Sequence, residues 1–270
     1  IAAGTLDEGG AGMLAHWGKV IEQLDRDGLV PLQELIAKLP PGPLTEAAYD
    51  GFRHAIRRRT VDALMAIEDP AEQVKTLYKL IELQPESASK GHLFTEYRRD
   101  LMTGTMHEGE PLYDVAGKQP KPFEGSELAP TRTPDDVVQI RAEVEGQLPG
   151  GRYAIEDKTG EHAFKLDQAE DYARRSDPNL ARRKDGDLSA GNATGGFNLR
   201  PEITTSEYDG IVYVFSRGDE AVKAVAKMRN DSKITSPLLG RHPGGIHVMY
   251  LDTDGTLKML TPVPVRSPQR

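Results

Sequence analysis

Two charged residues two positions apart, Glu156 and Lys158, are the strongest candidates for chemistry in this sequence. Side chains alternate along a β-strand, so these two share one face and Asp157 points to the other. Asp135 and Asp136 stand upstream, at the start of the preceding predicted strand. Carboxylates from adjacent strands form a site for a hard divalent cation, and a nearby ammonium can hold a water or stabilise an oxyanion. The same pattern is also typical of a plain ion pair at a strand end.

Polar residues on predicted helices flank this motif. Gln168 lies downstream on a short predicted helix, and Glu96 lies on the helix that precedes the predicted sheet. A basic cluster follows Gln168, and the aspartates interspersed with it leave two interpretations open. It is either a solvated loop or an edge that holds substrate phosphates. The cluster comprises Arg174, Arg175, Arg182, Arg183 and Lys184.

The first part of the chain is predicted to be helical. Apolar residues recur at helical spacing from residue 12 to about residue 85, with breaks at 40–43 and 69–70 that favour three or four helices. A further helix is predicted from about Ser87 to Met102. Residues 104–134 contain five prolines and four glycines, which indicates a surface loop.

Beyond residue 134 the apolar period changes to that of strands. Alternating residues predict a strand over 138–144, and a Leu-Pro-Gly-Gly turn leads into a second strand over 152–158. A short helix is expected over 165–175. Strand, helix and strand are then expected over 210–216, 220–229 and 246–251, before a last short strand. The chain is therefore predicted to be α/β, with a helical N-terminal part and a mixed sheet.

Composition excludes several classes of protein. The net charge is −8, distributed as −11 over residues 1–170 and +3 over residues 171–270, so a surface that coats nucleic acid throughout is not expected. The chain has no cysteine, which excludes disulfides, thiolate metal sites and a cysteine nucleophile. No apolar run approaches the roughly 18 residues of a membrane span.

In their order along the chain, the candidate residues resemble the PD-(D/E)XK, or restriction-endonuclease-like, nucleases. The order is Glu96, an aspartate at 135 or 136, Glu156 with Lys158, and then Gln168. The runs 156–160 and 208–216 look further like nuclease toxin domains at the ends of bacterial polymorphic toxins. The resemblance covers about residues 87–230 and implies a restriction-endonuclease-like α/β domain over 87–270, after a helical region over 1–86.

The resemblance also implies roles for these side chains. An aspartate and Glu156 would hold Mg²⁺ or Mn²⁺, and Lys158 would help to activate water and stabilise the phosphorane charge. Gln168 would orient site groups or backbone phosphate, and Glu96 would act through a metal-bound water. Asp135 and Asp136 are both candidates for the metal position. Only one of them can serve, because neighbours in a straight strand point to opposite faces. Asp135 is favoured since it follows Pro134, as the family pattern does.

The expected function is that of a Mg²⁺-dependent DNA endonuclease, an antibacterial toxin module delivered into the cytoplasm of a target cell. A cognate immunity protein is the implied partner beside DNA. A second hypothesis is that the chain is an RNase on the same scaffold. A third is a non-enzymatic binding or assembly module, in which Glu156 and Lys158 form only an ion pair.

Overall fold

The structure is a computed structural model that describes residues 8–40, 44–115, 134–142, 144, 147–160, 163–169, 208–231, 239 and 245–261. Two compact units make up the chain. The first contains residues 1–101 together with 253–255, and the second contains residues 102–252 together with 256–270. No helix in the described ranges is both long enough and apolar enough to cross a membrane.

The first unit is built from helices, and the predicted breaks at 40–43 and 69–70 fall between helices, whereas the further gap at 27–31 is not among the predicted breaks. The helix over Glu46–Met65 begins where the Thr45 hydroxyl accepts a hydrogen bond from the Ala48 N–H, at 3.2 Å. The helix over Pro70–Leu83 begins after Asp69, whose carboxylate accepts from the Ala71 N–H. The helices are α1 (Glu8–Arg26), α2 (Leu32–Ala37), α3 (Glu46–Met65), α4 (Pro70–Leu83) and α5 (Ser87–Gly104).

Most of helix α5 belongs to this first unit. Phe94 and Tyr97 are fully buried, and the Tyr97 hydroxyl donates to Gln73 Oε1 on α4 at 2.7 Å. The second region is predicted to begin at residue 87, which is the first residue of α5, and the first compact unit extends to residue 101. The reason is that the apolar face of α5 is buried with the helices that precede it.

The second unit is a mixed six-stranded sheet with a helix, so its class is α/β, as the sequence predicted. The strands occur in the order β3-β4-β5-β6-β7-β8, in which β5, β6 and β7 are parallel and the other neighbours are antiparallel. A separate two-stranded hairpin, β1 with β2, precedes them. The elements are β1 (Met106–His107), β2 (Glu110–Pro111), β3 (Tyr113–Val115), β4 (Asp136–Ile140), β5 (Gly151–Lys158), β6 (Gly210–Phe215), α6 (Gly218–Arg229), β7 (Gly245–Leu251) and β8 (Leu257–Met259).

Two details of the sheet differ from expectation. Strand β3 lies inside the region predicted to be a loop, because a three-residue edge strand has too few residues to show a period. Strand β4 ends at Ile140 instead of continuing to 144. Ile140 pairs with Tyr113 and Gly151, the first residues of β3 and β5, so the sheet ends there.

The centre of the sheet is buried on both faces. All six residues of β6 are buried, and so are the last six of β5. On one face Ala154, Tyr213 and Phe215 pack with apolar residues of α6 and with Phe164 and Leu166.

The first residue of β5 is a glycine. A Cβ at Gly151 would lie 2.5 Å from the Asp209 carboxylate, which accepts from the Arg152 N–H. Glycine at 151 therefore allows β5 and β6 to start side by side.

Candidate active site

The antiparallel pairing of β4 with β5 brings the predicted aspartates to the predicted motif. Asp136 is the register partner of Ile155, and the Asp135 N–H also donates to the Ile155 carbonyl at 3.0 Å. Two consecutive residues opposite one is the count of a β-bulge, which re-aims side chains at a strand end. The Asp135 carboxylate then accepts from the Asp157 N–H at 2.9 Å. Asp135 is thus held against β5 by both its backbone and its side chain.

The Glu156 carboxylate contacts two of the other predicted site residues. Lys158 Nζ lies 2.9 Å from Glu156 Oε2, and both side chains are more than nine-tenths buried. Gln168 Nε2 donates to the same oxygen at 2.8 Å, from a helical turn at residues 166–169. A buried carboxylate needs hydrogen-bond or charge partners, and Glu156 has two of them on one oxygen. These two donors fix the orientation of the Glu156 carboxylate.

These side chains lie at the carboxyl end of β5, which runs parallel to β6. In open α/β sheets, ligands bind beyond the carboxyl ends of parallel strands. The structure therefore brings together Asp135, Glu156, Lys158 and Gln168 where such sheets place their sites.

Asp135 is a buried carboxyl with two other carboxylates near it. Burial, together with the negative charges of Asp157 and Glu156, raises the pKa of Asp135 to about 7. The Asp157 N–H and the Lys158 ammonium act in the opposite direction and lower that pKa. Negative charge therefore exceeds positive charge around Asp135, which is the condition that favours a proton or a cation there.

This raised pKa predicts how stability depends on pH in the absence of divalent cations. The ordinary pKa of 3.8 applies to the unfolded chain, so the folded protein binds the Asp135 proton more tightly. The proton on Asp135 therefore stabilises the folded state. We expect its contribution to the free energy of unfolding to be fully present below about pH 4 and to be lost as the pH rises through about 7. Its size is up to about 4 kcal/mol at about 1.4 kcal/mol per pH unit.

Urea unfolding between pH 4 and 8, in chelator, measures this contribution. Asp135→Asn keeps an oxygen for the Asp157 N–H and does not titrate, so its stability should vary less over the same range. An identical pH dependence in the variant and the parent protein would contradict the assignment to Asp135.

Asp136 has a different environment from Asp135. It is fully buried, and its Oδ1 accepts from the N–H of Val137 at 2.9 Å. The charges of Glu156 and Lys158 act on the pKa of Asp135. The preference for Asp135 over Asp136 as the metal ligand stays a prediction.

Glu96 lies in the first unit, on α5, and its contacts there are known. Arg57 Nε donates to Glu96 Oε1 at 2.6 Å, and His54 Nδ1 lies 3.6 Å from the same oxygen. Arg57 belongs to a set of arginines on α3 that pair with acidic residues, such as Arg53 with Glu86. Within the described residues, Glu96 is thus an ion-pair partner of α3. Its role in the site stays a prediction.

The basic cluster falls outside the described residues. This applies to Arg174, Arg175, Arg182, Arg183 and Lys184, and its proposed contact with substrate phosphates stays a prediction.

Sequence reasoning missed two features of the site. Asp157, predicted to lie on the strand face opposite Glu156 and Lys158, carries a charge that raises the pKa of Asp135. Tyr213 lies with its ring centroid 5.6 Å from Lys158 Nζ, and Phe164 makes an edge-on contact with it. The register of a parallel strand far along the chain decides that Tyr213 pairs with Glu156. No pattern within β6 alone carries that information.

The number of carboxylates in this site is suited to Mg²⁺. Asp135 and Glu156 supply two carboxylates, and Mg²⁺ is commonly bound by one or two carboxylates with waters and substrate phosphates completing its shell. Burial is the largest cause of the raised pKa of Asp135 and favours its neutral form, whereas the negative charges of Asp157 and Glu156 also act in favour of added positive charge. In the described ranges, no group of three or more histidine, aspartate or glutamate side chains could hold a metal by itself. A metal here would therefore depend on water and substrate oxygens.

Neither a protein-family model, nor a curated protein, nor a solved structure matches this chain.

Proposed function

We propose that the chain is a Mg²⁺-dependent nuclease that hydrolyses phosphodiester bonds of DNA. The observation that carries the proposal is the convergence of Asp135, Glu156, Lys158 and Gln168 at one end of β5. Carboxylates can bind the metal and an ammonium can stabilise developing negative charge in metal-assisted phosphodiester hydrolysis, and this set contains both kinds of group.

Each side chain has a distinct role in this proposal. Asp135 and Glu156 would hold Mg²⁺ or Mn²⁺, which when bound supplies Lewis-acid activation of a phosphate oxygen and of a water. The Lys158 ammonium stabilises the negative charge that develops on the phosphorus oxygens, because it is buried where charges interact strongly. Gln168 is a positioning residue, since its amide donates to Glu156 and fixes that carboxylate.

The test is direct cleavage by the whole purified chain. Supercoiled plasmid and total RNA are incubated with Mg²⁺, with chelator, and with Mg²⁺ restored after chelation. We expect plasmid cleavage that chelator abolishes and Mg²⁺ restores. Cleavage of RNA alone would support the RNase reading instead. Cleavage of neither nucleic acid would contradict the proposal.

A non-enzymatic binding module is the second candidate. The buried ion pair of Lys158 with Glu156, at 2.9 Å, is also what a purely structural pair would look like. Such a pair contributes to the fold whether or not a metal binds. In that case Mg²⁺ should neither bind nor stabilise the protein, and thermal unfolding with and without Mg²⁺ separates the two readings.

The resemblance to toxin domains supports a narrower proposal for the biological role. The chain would act as an antibacterial effector in the cytoplasm of a target cell and would be neutralised by a cognate immunity protein. Expression of the parent chain in a bacterial cytoplasm should arrest growth, whereas expression of Lys158→Met should not. Equal growth with both chains would contradict the toxin role.

A further inference from the structure

The Lys158 ammonium lies over an aromatic ring as well as beside a carboxylate. Its Nζ atom is 5.6 Å from the centroid of Tyr213 and 2.9 Å from Glu156 Oε2. A cation within about 6 Å of a ring centroid is attracted by the negative face of the ring, more strongly when water is excluded. Tyr213 is fully buried and Lys158 nearly so, which excludes water here.

The position of this ring is fixed independently of Lys158. Tyr213 pairs with Glu156 in the parallel register of β5 and β6. Phe164 contacts it edge-on, with ring centroids 5.5 Å apart and planes at 77°. The segment that contains Phe164 continues to Gln168, which binds Glu156. The aromatic pair therefore connects the surroundings of the ammonium to the segment that orients the carboxylate.

A lysine side chain has a long flexible stem, and one ion pair leaves much of its freedom. A second attraction from a rigid ring restricts the ammonium to one side of Glu156. We propose that Tyr213 is a positioning residue that holds the Lys158 ammonium by a cation–π contact. This inference rests on the proposed function for its consequence in catalysis, but the contact itself can be tested without activity.

The test replaces Tyr213 by phenylalanine and then by ring-fluorinated phenylalanines with increasing fluorine content. Fluorine removes electron density from the ring face with little change of shape, so a purely packing role predicts no trend. The first measurement is the carbon-13 signal of the Lys158 Cε group, assigned through Lys158→Arg. We expect it to move progressively away from its value in the Tyr213→Phe protein. The second measurement is kcat for plasmid cleavage, expected to fall by up to about tenfold across the series.

Phe215 is the matched control. It lies on the same face of β6, two positions from Tyr213, and contacts Phe164 at 6.1 Å between centroids. Phe215 also pairs with Lys158 in the register of β5 and β6. Fluorination at 215 therefore tests a ring beside the lysine stem, and it should change both measurements less than fluorination at 213. A Lys158 signal that ignores fluorination at 213, or responds equally at 215, overturns the contact. A signal that responds while kcat stays constant overturns the positioning role. If the parent protein cleaves nothing, the proposed function fails, and the Lys158 signal still decides whether the ring holds the ammonium.

Discussion

Lys158→Met should lower the rate of plasmid cleavage by on the order of 10² to 10³, with no recovery at high Mg²⁺. Methionine keeps most of the apolar stem and removes the ammonium that faces the reacting phosphate in the proposed mechanism. A divalent cation bound by carboxylates does not replace a charge at the position of Nζ. The measurement is the initial rate of plasmid cleavage as a function of Mg²⁺ concentration.

Loss of fold must be separated from loss of chemistry in this experiment. Removing one member of a buried ion pair typically costs about 3 to 5 kcal/mol, because the other charge is left without its partner. The double variant Lys158→Met with Glu156→Gln leaves no unpaired charge at this pair and should regain stability without activity. Lys165→Met is the control, since Lys165 is exposed on the neighbouring segment. Full activity in a folded Lys158→Met protein would end the proposed role.

Glu156→Gln should weaken Mg²⁺ binding by at least about tenfold and lower cleavage in proportion, with partial recovery at high Mg²⁺. Glutamine keeps the shape and an acceptor oxygen for Lys158 and Gln168, but it lacks the charge that attracts the cation. Calorimetric titration with Mg²⁺ measures the affinity, and cleavage rates over the same concentrations measure the recovery.

The control for this variant is Asp167→Asn, which removes an exposed carboxylate close to Gln168 in the sequence. Its Mg²⁺ affinity and cleavage rate should match those of the parent protein. A Glu156→Gln protein that loses cleavage while its Mg²⁺ affinity is unchanged would show that Glu156 acts in some way other than binding metal.

The sequence was informative wherever the relevant contacts are local. Strands β5, β6 and β7 and helix α6 lie within two residues of their predicted bounds, because period and turn residues are properties of short segments. The juxtaposition of Glu156 and Lys158 follows from strand alternation alone. The Leu-Pro-Gly-Gly turn predicted that β4 and β5 form a hairpin, and they pair antiparallel, although residues 141–150 separate them.

What the sequence left open depends on register and burial. The backbone contacts at the start of β4 are one example, because Asp136 pairs with Ile155 while the Asp135 N–H also donates to the Ile155 carbonyl. The raised pKa of Asp135 depends on burial, which a strand pattern does not specify. Tyr213 reaches Lys158 only because β6 pairs in parallel with β5, after an intervening stretch of about 50 residues.

We expect the parallel pairing of β5 with β6 to set the order in which the site forms during folding. Arg152 and Asp209, which join the starts of the two strands, are 57 positions apart in the sequence. Closing such a loop is slow compared with forming the β4–β5 hairpin, because more chain entropy is lost before any contact forms. The hairpin can therefore bring Asp135 and Glu156 together early, while Lys158 still lacks the buried ring beside it. The environment that makes these charges effective is acquired only when β6 docks, late in folding.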